Sequence, residues 1–245
     1  LIMRTPDMKL VPGLATKWEF LDNNTKLRFT LREGVKFHNG EPFNADAVKF
    51  TFDRLLGDEG KKGPQQSNYN AIEKVVVVNA NTVDFLLKNP DPVLLTKLAG
   101  YGAMIVPPKY ITEKGSAYFG ANPVGTGPFK FTEYKPGEYY LLSKNDSYWE
   151  KGEPKVDEIV FRVLPDRAGA GAALEAEEVH LAAFSAVPLA DLDRIQVSCE
   201  VAPIARTIRQ AVADFGVAGN VALGRLDEAR VAHDPKRLEQ ALENL

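Results

Sequence analysis

Apolar and polar residues alternate over several short segments of the chain, which is the pattern of half-buried β-strands. Leu27, Phe29 and Leu31 alternate with polar neighbours, and two asparagines at 23–24 suit a turn, so residues 17–32 are predicted to form a hairpin. A second hairpin is predicted from the strands at 75–78 and 83–87. Further strands are predicted at 129–131, 139–142 and 159–163.

Between the two predicted hairpins the apolar residues recur at helical spacing instead of alternating. Asn44 is a suitable N-cap, Val48 and Phe52 recur at helical spacing, and Gly57 is expected to end the helix. Other helices are predicted at residues 93–98, 172–178, 189–195, 205–215 and 234–245. Strands and helices are interspersed in this way, so the expected fold class is α+β, a mixed α/β protein.

Glycine and proline mark the predicted turns. Residues 122–128 (NPVGTGP) are too rich in both to form a regular element, and Pro136-Gly137 fits the centre of a type II turn. Gly34 and Gly40 suit positions of positive φ. Gly169-Ala170-Gly171 completes no phosphate-binding motif and is predicted to be a turn.

Composition excludes several classes of protein. The 245 residues carry a net charge of −3 and no basic stripe, which disfavours nucleic acid as a partner. No apolar run approaches the roughly 20 residues of a membrane-spanning helix. The single cysteine, Cys199, and the dispersed histidines His38, His180 and His233 give no metal-ligand spacing. Each histidine is interpreted as a surface or turn residue, no motif of nucleophilic catalysis is present, and neither an enzyme nor a cofactor is predicted.

Residue usage changes near residue 165. Of the 23 aromatic residues 21 lie in residues 1–165, as do 17 of the 18 lysines. Because aromatic side chains supply much of the buried area of a core, the two sections are expected to pack differently. The second section is predicted to be Ala-rich helices with a thin core.

One region resembles a known family. Residues 11–56 contain P-G-L-A-x-x-W at 12–18, F-T-L-R-E-G-V-K-F-H-N-G at 29–40 and A-D-A-V-x-F-x-F at 45–52. They resemble the signature of the family 5 extracellular solute-binding proteins, which serve peptide, dipeptide and nickel ABC importers. Residues 122–149 are similar to a second block of the family, and residues 174–195 to a third, in which His180 stands where an acidic residue is expected.

The resemblance implies part of one lobe of a two-lobed, periplasmic-binding-protein-like fold of type II, cluster C, with a helical C-terminal tail. The expected segments are 1–125, a signature-bearing subdomain of the lobe; 126–195, a return segment; and 196–245, a helical tail. It also implies a truncated substrate-binding component that captures a peptide or similar small solute and delivers it to an ABC permease. The expected location is the periplasm or the outer face of the membrane as a lipoprotein, with no export signal in this chain.

Most of the signature is expected to be scaffold. Trp18, Phe29, Leu31 and Phe37 are predicted to form a small core, which Phe50 and Phe52 cap. Two alternatives to solute capture stay open: a solute-sensing module of a regulator or receptor, and a scaffold fragment that binds nothing.

Two segments are better candidates for a ligand site. In Tyr101-Gly102-Ala103-Met104 small residues allow a ligand to approach closely, and in Gly125-Thr126-Gly127 backbone N–H groups and a hydroxyl suit a carboxylate or carbonyl. A plain turn or packing role is the alternative for each of these seven residues.

Overall fold

The computed structural model describes residues 1–5, 7–164, 166–182 and 221–223. The chain divides into two compact units, Leu1–Thr126 and Gly127–Leu245, called unit 1 and unit 2 below. Within the described residues no helix is both long and apolar enough to cross a membrane.

Unit 1 is built on an antiparallel sheet. A short pair, β1 (Ile2–Arg4) and β2 (Leu10–Pro12), precedes four strands, β3 (Ala15–Leu21), β4 (Lys26–Leu31), β5 (Ile72–Asn79) and β6 (Thr82–Leu87). The four strands lie in the order β3-β4-β6-β5, so both predicted hairpins are confirmed. The first turn passes through Asp22, Asn23 and Asn24, all with positive φ, a conformation that Asn and Asp tolerate better than most residues.

One amphipathic helix, α1 (Ala45–Leu56), is where the spacing predicted it. The side-chain oxygen of Asn44 accepts a hydrogen bond from the backbone N–H of Ala47 at 3.1 Å, which confirms the N-cap. Val48 and Phe52, one helical turn apart, are fully buried. Phe50 lies on a different side of the helix and is half-buried, so of the two predicted core caps Phe52 is the fully buried one.

Interlocking aromatic rings form the core of unit 1. The Phe85 ring centroid lies 5.3 Å from Phe29 and 4.8 Å from Phe52, and Phe52 lies 6.0 Å from Tyr69, all near edge-to-face. These four side chains are at most 1% exposed. Trp18 is paired with Phe29 on the neighbouring strand β4. It is only half-buried, because β3 is an edge strand with a neighbour on one side only.

Short elements complete unit 1. Two 3₁₀ turns, Gly60–Lys62 and Gln66–Tyr69, follow α1, and three short helices follow β6. These are α2 (Leu94–Leu98), α3 (Pro108–Lys114) and α4 (Ser116–Ala121). Both Gly34 and Gly40 have positive φ, as predicted.

Unit 2 has a second antiparallel sheet in the order β10-β11-β9-β8-β7. Its strands are β7 (Phe129–Lys135), β8 (Tyr139–Lys144), β9 (Glu158–Val163), β10 (Leu181–Ala182) and β11 (Val221–Leu223). The turn between β7 and β8 has Gly137 at φ 75° and a hydrogen bond from Glu138 N–H to Lys135 O of 3.0 Å, which confirms the predicted type II turn.

The helix predicted at 172–178 is displaced. Helix α5 spans Arg167–Glu175 because Asp166 caps it, accepting a hydrogen bond from the Gly169 backbone N–H at 2.6 Å. It ends before Glu177, whose φ is 58°. Gly169 and Gly171 therefore lie inside a helix, and their prediction as turn residues is wrong.

Several predictions for the C-terminal part fall outside the described residues. These are the helices at 189–195, 205–215 and 234–245, together with Cys199 and His233. Of the tail at 196–245, which was expected to be helical, the structure describes Val221–Leu223, and those three residues form a strand between β10 and β9.

Candidate functional site

The candidate segment 101–104 in unit 1 is shaped by packing around Tyr69. The Tyr69 hydroxyl lies 2.8 Å from the carbonyl oxygen of Lys97 and 2.5 Å from that of Tyr101. Gly102 has a φ of 82°, and a Cβ built on it would lie 2.9 Å from Gln65 Cβ and 3.0 Å from the Tyr69 ring. Tight packing thus accounts for glycine at this position. Burial raises the pKa of Tyr69 to about 12.

Beyond Gly102 buried side chains alternate with more exposed ones. Ala103 and Ile105 are buried at 2% and 5% exposure, whereas Met104 between them is 56% exposed. An exposed thioether side chain next to buried neighbours is available to a ligand.

Met104 and Gly102 border a pocket of about 310 Å³. Every residue that lines the pocket belongs to unit 1. The lining is Thr51, Arg54, Leu55, Glu59, Gly60, Gly63, Pro64, Gln65, Gly102, Met104 and Val106.

Thr51, which lines the pocket, connects α1 to the segment around Val106. This buried hydroxyl donates to the carbonyl of Ala47 at 2.7 Å and accepts from the backbone N–H of Val106 at 3.1 Å. Because both bonds are internal, Thr51 holds the wall in place.

The charged wall of the pocket is an ion pair. Arg54 donates from Nε and Nη2 to the two carboxylate oxygens of Glu59 at 2.9 and 2.8 Å, and Nη2 also lies 3.2 Å from Ser116 Oγ. Hydrogen bonds from Ser116 and then Arg54 lower the pKa of Glu59. Glu59 is therefore ionised at neutral pH, and the charges of the pair cancel.

The second candidate segment, 125–127, is held by hydrogen bonds with two residues, His38 and Asn145. His38 N–H donates to the Gly125 carbonyl at 2.8 Å, and the Gly125 N–H donates to His38 Nδ1 at 3.3 Å. Sequence reasoning missed this role of His38, because the two residues are 87 positions apart and no local pattern links them.

Gly127 is held by a different residue. Asn145, 4% exposed, donates from Nδ2 to the Gly127 carbonyl at 2.9 Å and from its backbone N–H to Pro128 O at 2.8 Å. Sequence reasoning did not single out Asn145 either. Thr126, between the two glycines, is half-buried.

The two candidate segments are thus placed differently. The pocket includes Gly102 and Met104 but none of residues 125–127. The His38 partner of Gly125 belongs to unit 1, whereas the Asn145 partner of Gly127 belongs to unit 2. In the part of the chain that the structure describes, no three His, Cys, Asp or Glu side chains are grouped to hold a metal ion.

Comparison with known proteins decides the family. Residues 9–207 match the family described as bacterial extracellular solute-binding proteins, family 5, middle region. The chain belongs to this family. The resemblance of residues 11–56 to its signature is confirmed.

Curated relatives include two glutathione-binding proteins, both named GsiB. The protein of Pectobacterium atrosepticum is 32% identical over 176 residues, and that of Salmonella typhi is 33% identical over the same length. Each match covers 72% of this chain and 34% of the relative, so the chain spans about a third of the length of these relatives.

Solved structures of similar fold confirm the mixed α/β, type II class. NikZ from Campylobacter jejuni, in complex with Ni(L-His), gives a TM-score of 0.71 at 27% identity, covering 80% of this chain and 38% of NikZ. AgaA from A. tumefaciens R10, in complex with agropinic acid, gives 0.68 at 30% identity, covering 72% and 35%. AppA from Bacillus subtilis, in complex with a nonapeptide, gives 0.69 at 29% identity, covering 80% and 39%.

Proposed function

We propose that the chain is part of the substrate-binding component of an ABC-type import system. In this role it captures a peptide or a similar small solute for delivery to a membrane permease. The observation that carries the proposal is the family match over residues 9–207. The relatives named above bind glutathione, a nickel–histidine complex, agropinic acid or a peptide, which supports a small polar solute. The proposed role is binding without catalysis, in the periplasm or on the outer face of the membrane.

Within this proposal the solute contacts are the two candidate segments, Tyr101–Met104 and Gly125–Gly127. Gly102 and Met104 border a pocket, which supports the first segment. In the second segment the Gly125 N–H is already bonded to His38 Nδ1, so the proposed contact is through Thr126, whose tethered neighbour limits the conformational freedom that is lost when a ligand binds.

Calorimetric titration of the 245-residue chain tests the proposal. The solutes are reduced glutathione, a library of di- to pentapeptides and the nickel–histidine complex. We expect saturable binding weaker than about 1 µM, because a protein that supplies only part of the surface around a solute desolvates it incompletely. Thr126→Val is expected to weaken this binding, since it removes the hydroxyl of the second segment.

A matched control is Thr132→Val on β7, where the exposed hydroxyl bonds to Ser143. This variant is expected to bind like the parent chain. Absence of saturable binding to every solute up to millimolar concentration would contradict the proposal and favour a scaffold. Sub-micromolar binding would contradict only the expected weakness.

A further inference from the structure

The pocket of unit 1 has the size and composition of a small-molecule site. Its volume of about 310 Å³ lies at the lower end of the range usual for ligand pockets. It is complete within one unit, since every lining residue lies between Thr51 and Val106. It therefore suits one compact group rather than an extended chain.

Part of the pocket lining is apolar. Leu55, Pro64, Met104 and Val106 provide aliphatic or thioether surface. A flexible, polarizable methionine at 56% exposure can adjust to side chains of different shape. This surface favours an aliphatic or thioether group on the ligand.

The pocket lining as a whole has no net charge. Arg54 and Glu59 are the two charged residues of its lining, and they neutralise each other through two hydrogen bonds. A ligand with a single net charge would lose hydration without gaining an unpaired counter-charge. A zwitterion presents both signs, so it can align with the dipole of the ion pair.

We propose that this pocket binds a net-neutral, zwitterionic solute with an apolar side chain, such as a free aliphatic amino acid. The inference rests on the proposed solute-binding function and adds to it a selection rule: an apolar body with balanced charges. The carboxylate of the solute faces Arg54, its ammonium faces Glu59, and its side chain contacts Met104.

Methionine-methyl NMR tests the inference directly. The chain has three methionines, so ¹³Cε labelling gives three probes, Met3, Met8 and Met104. Met8 is 54% exposed and lies outside the pocket lining, which makes it an internal control for Met104. L-leucine is expected to shift the Met104 resonance saturably and to leave Met3 and Met8 unchanged.

Singly charged analogues test the charge rule. Hexanoate and hexylamine have an apolar body similar to that of leucine but carry one charge each. Both are expected to bind at least about tenfold more weakly than leucine, as read from the Met104 shift.

Glu59→Gln should change the selectivity. The variant leaves Arg54 without its counter-charge, so hexanoate is expected to gain and leucine to lose affinity, with a change in their ratio of about tenfold or more. Met104→Ala should weaken leucine binding, read by calorimetry, whereas Met8→Ala should not. Thermal unfolding of each variant checks that it is folded.

The outcomes separate the two proposals. Peptide binding in calorimetry, with no saturable shift of Met104 by leucine, would overturn the pocket inference and leave the proposed function intact. A saturable Met104 shift with leucine, but no binding of glutathione, peptides or nickel–histidine, would support the pocket and contradict the capture of peptide-like solutes that the proposed function expects. Equal shifts of all three methyls, or hexanoate binding as tightly as leucine, would overturn the selection rule.

Discussion

The two units build their cores from different side chains. In unit 1, helix α1 places Phe52 between Phe85 and Tyr69, with ring centroids 4.8 and 6.0 Å away. In unit 2 one core cluster contains Phe129, Val156 and Ile159, with half-buried Leu142, Phe161 and Leu181 packed against them. A second cluster contains Ala173 and Val179, with half-buried Leu164 and Leu174.

The helices explain this difference. Helix α5 of unit 2 contributes buried alanines, Ala170 and Ala173, where α1 contributes Val48 and Phe52. An alanine buries far less apolar area than a phenylalanine, so the contacts of Ala170 and Ala173 stabilise unit 2 less than the contacts of Phe52 stabilise unit 1. The size of the buried side chains on a helix therefore decides how much the stability of its unit depends on a single residue.

Phe52→Ala sharpens this comparison most. It is expected to lower the free energy of unfolding of unit 1 by about 3–5 kcal/mol, because it leaves a cavity between two aromatic rings. Each unit has its own tryptophan, Trp18 in unit 1 and Trp149 in unit 2, so urea unfolding followed by Trp18 fluorescence in a Trp149→Phe background measures the effect.

The matched control is Phe50→Ala on the same helix. Phe50 is half-buried, and its truncation should cost about 1 kcal/mol. In unit 2, Ile159→Ala should cost about 2 kcal/mol, read from Trp149 in a Trp18→Phe background. An equal cost for Phe52→Ala and Ile159→Ala would break the comparison.

Tyr69 makes the core of unit 1 sensitive to alkali. Its folded pKa of about 12 lies above the roughly 10 expected in the unfolded chain, so the native state holds this proton more tightly. Stability from Tyr69 is present below pH 10 and is lost as pH rises toward 12, with a fall on the order of 2 kcal/mol.

Comparison with Tyr69→Phe isolates this effect from other titrating groups. The variant is less stable at neutral pH, because it loses the hydrogen bonds to the Lys97 and Tyr101 carbonyls. The stability difference should narrow between pH 10 and 12 in urea unfolding followed by Trp18. A constant difference across this range would show that burial does not hold the Tyr69 proton.

Asn145→Ala, in unit 2, is expected to lower the free energy of unfolding less than Phe52→Ala does or than ionisation of Tyr69 does in unit 1. The Asn145 side chain donates to the Gly127 carbonyl and accepts from the Ser147 N–H, so its loss should cost about 1–2 kcal/mol by the Trp149 signal. The stability reported by Trp18 is the control. A larger loss by Trp18 than by Trp149 would contradict the assignment of Asn145 to unit 2.

Local patterns were sufficient for most elements of unit 1. Alternation around Phe29 predicted its hairpin, and Asn44 with Gly57 marked both ends of α1, because these signals act over a few residues. They failed at α5, since the cap Asp166 precedes two glycines that reduce helix propensity.

The candidate site was only partly predictable. The segment 101–104 was singled out because its small residues allow a ligand to approach. Two of its members, Gly102 and Met104, do border a pocket. Arg54, Glu59 and Gln65 were not singled out, because the fold of the chain between α1 and residue 102 brings them to the same pocket as Gly102.

The sequence by itself determined the family and the local elements of this protein. The motifs at 12–18, 29–40 and 45–52 are contiguous, and caps, turns and strand alternation act between near neighbours. Tertiary structure alone decided which distant residues meet: His38 with Gly125, Asn145 with Gly127, and Gln65 with Gly102. It also placed the change from one unit to the next after Thr126, whereas the change in composition near residue 165 falls inside unit 2. Composition records which side chains are available, but packing and hydrogen bonds between distant segments decide which of them share a core or a pocket.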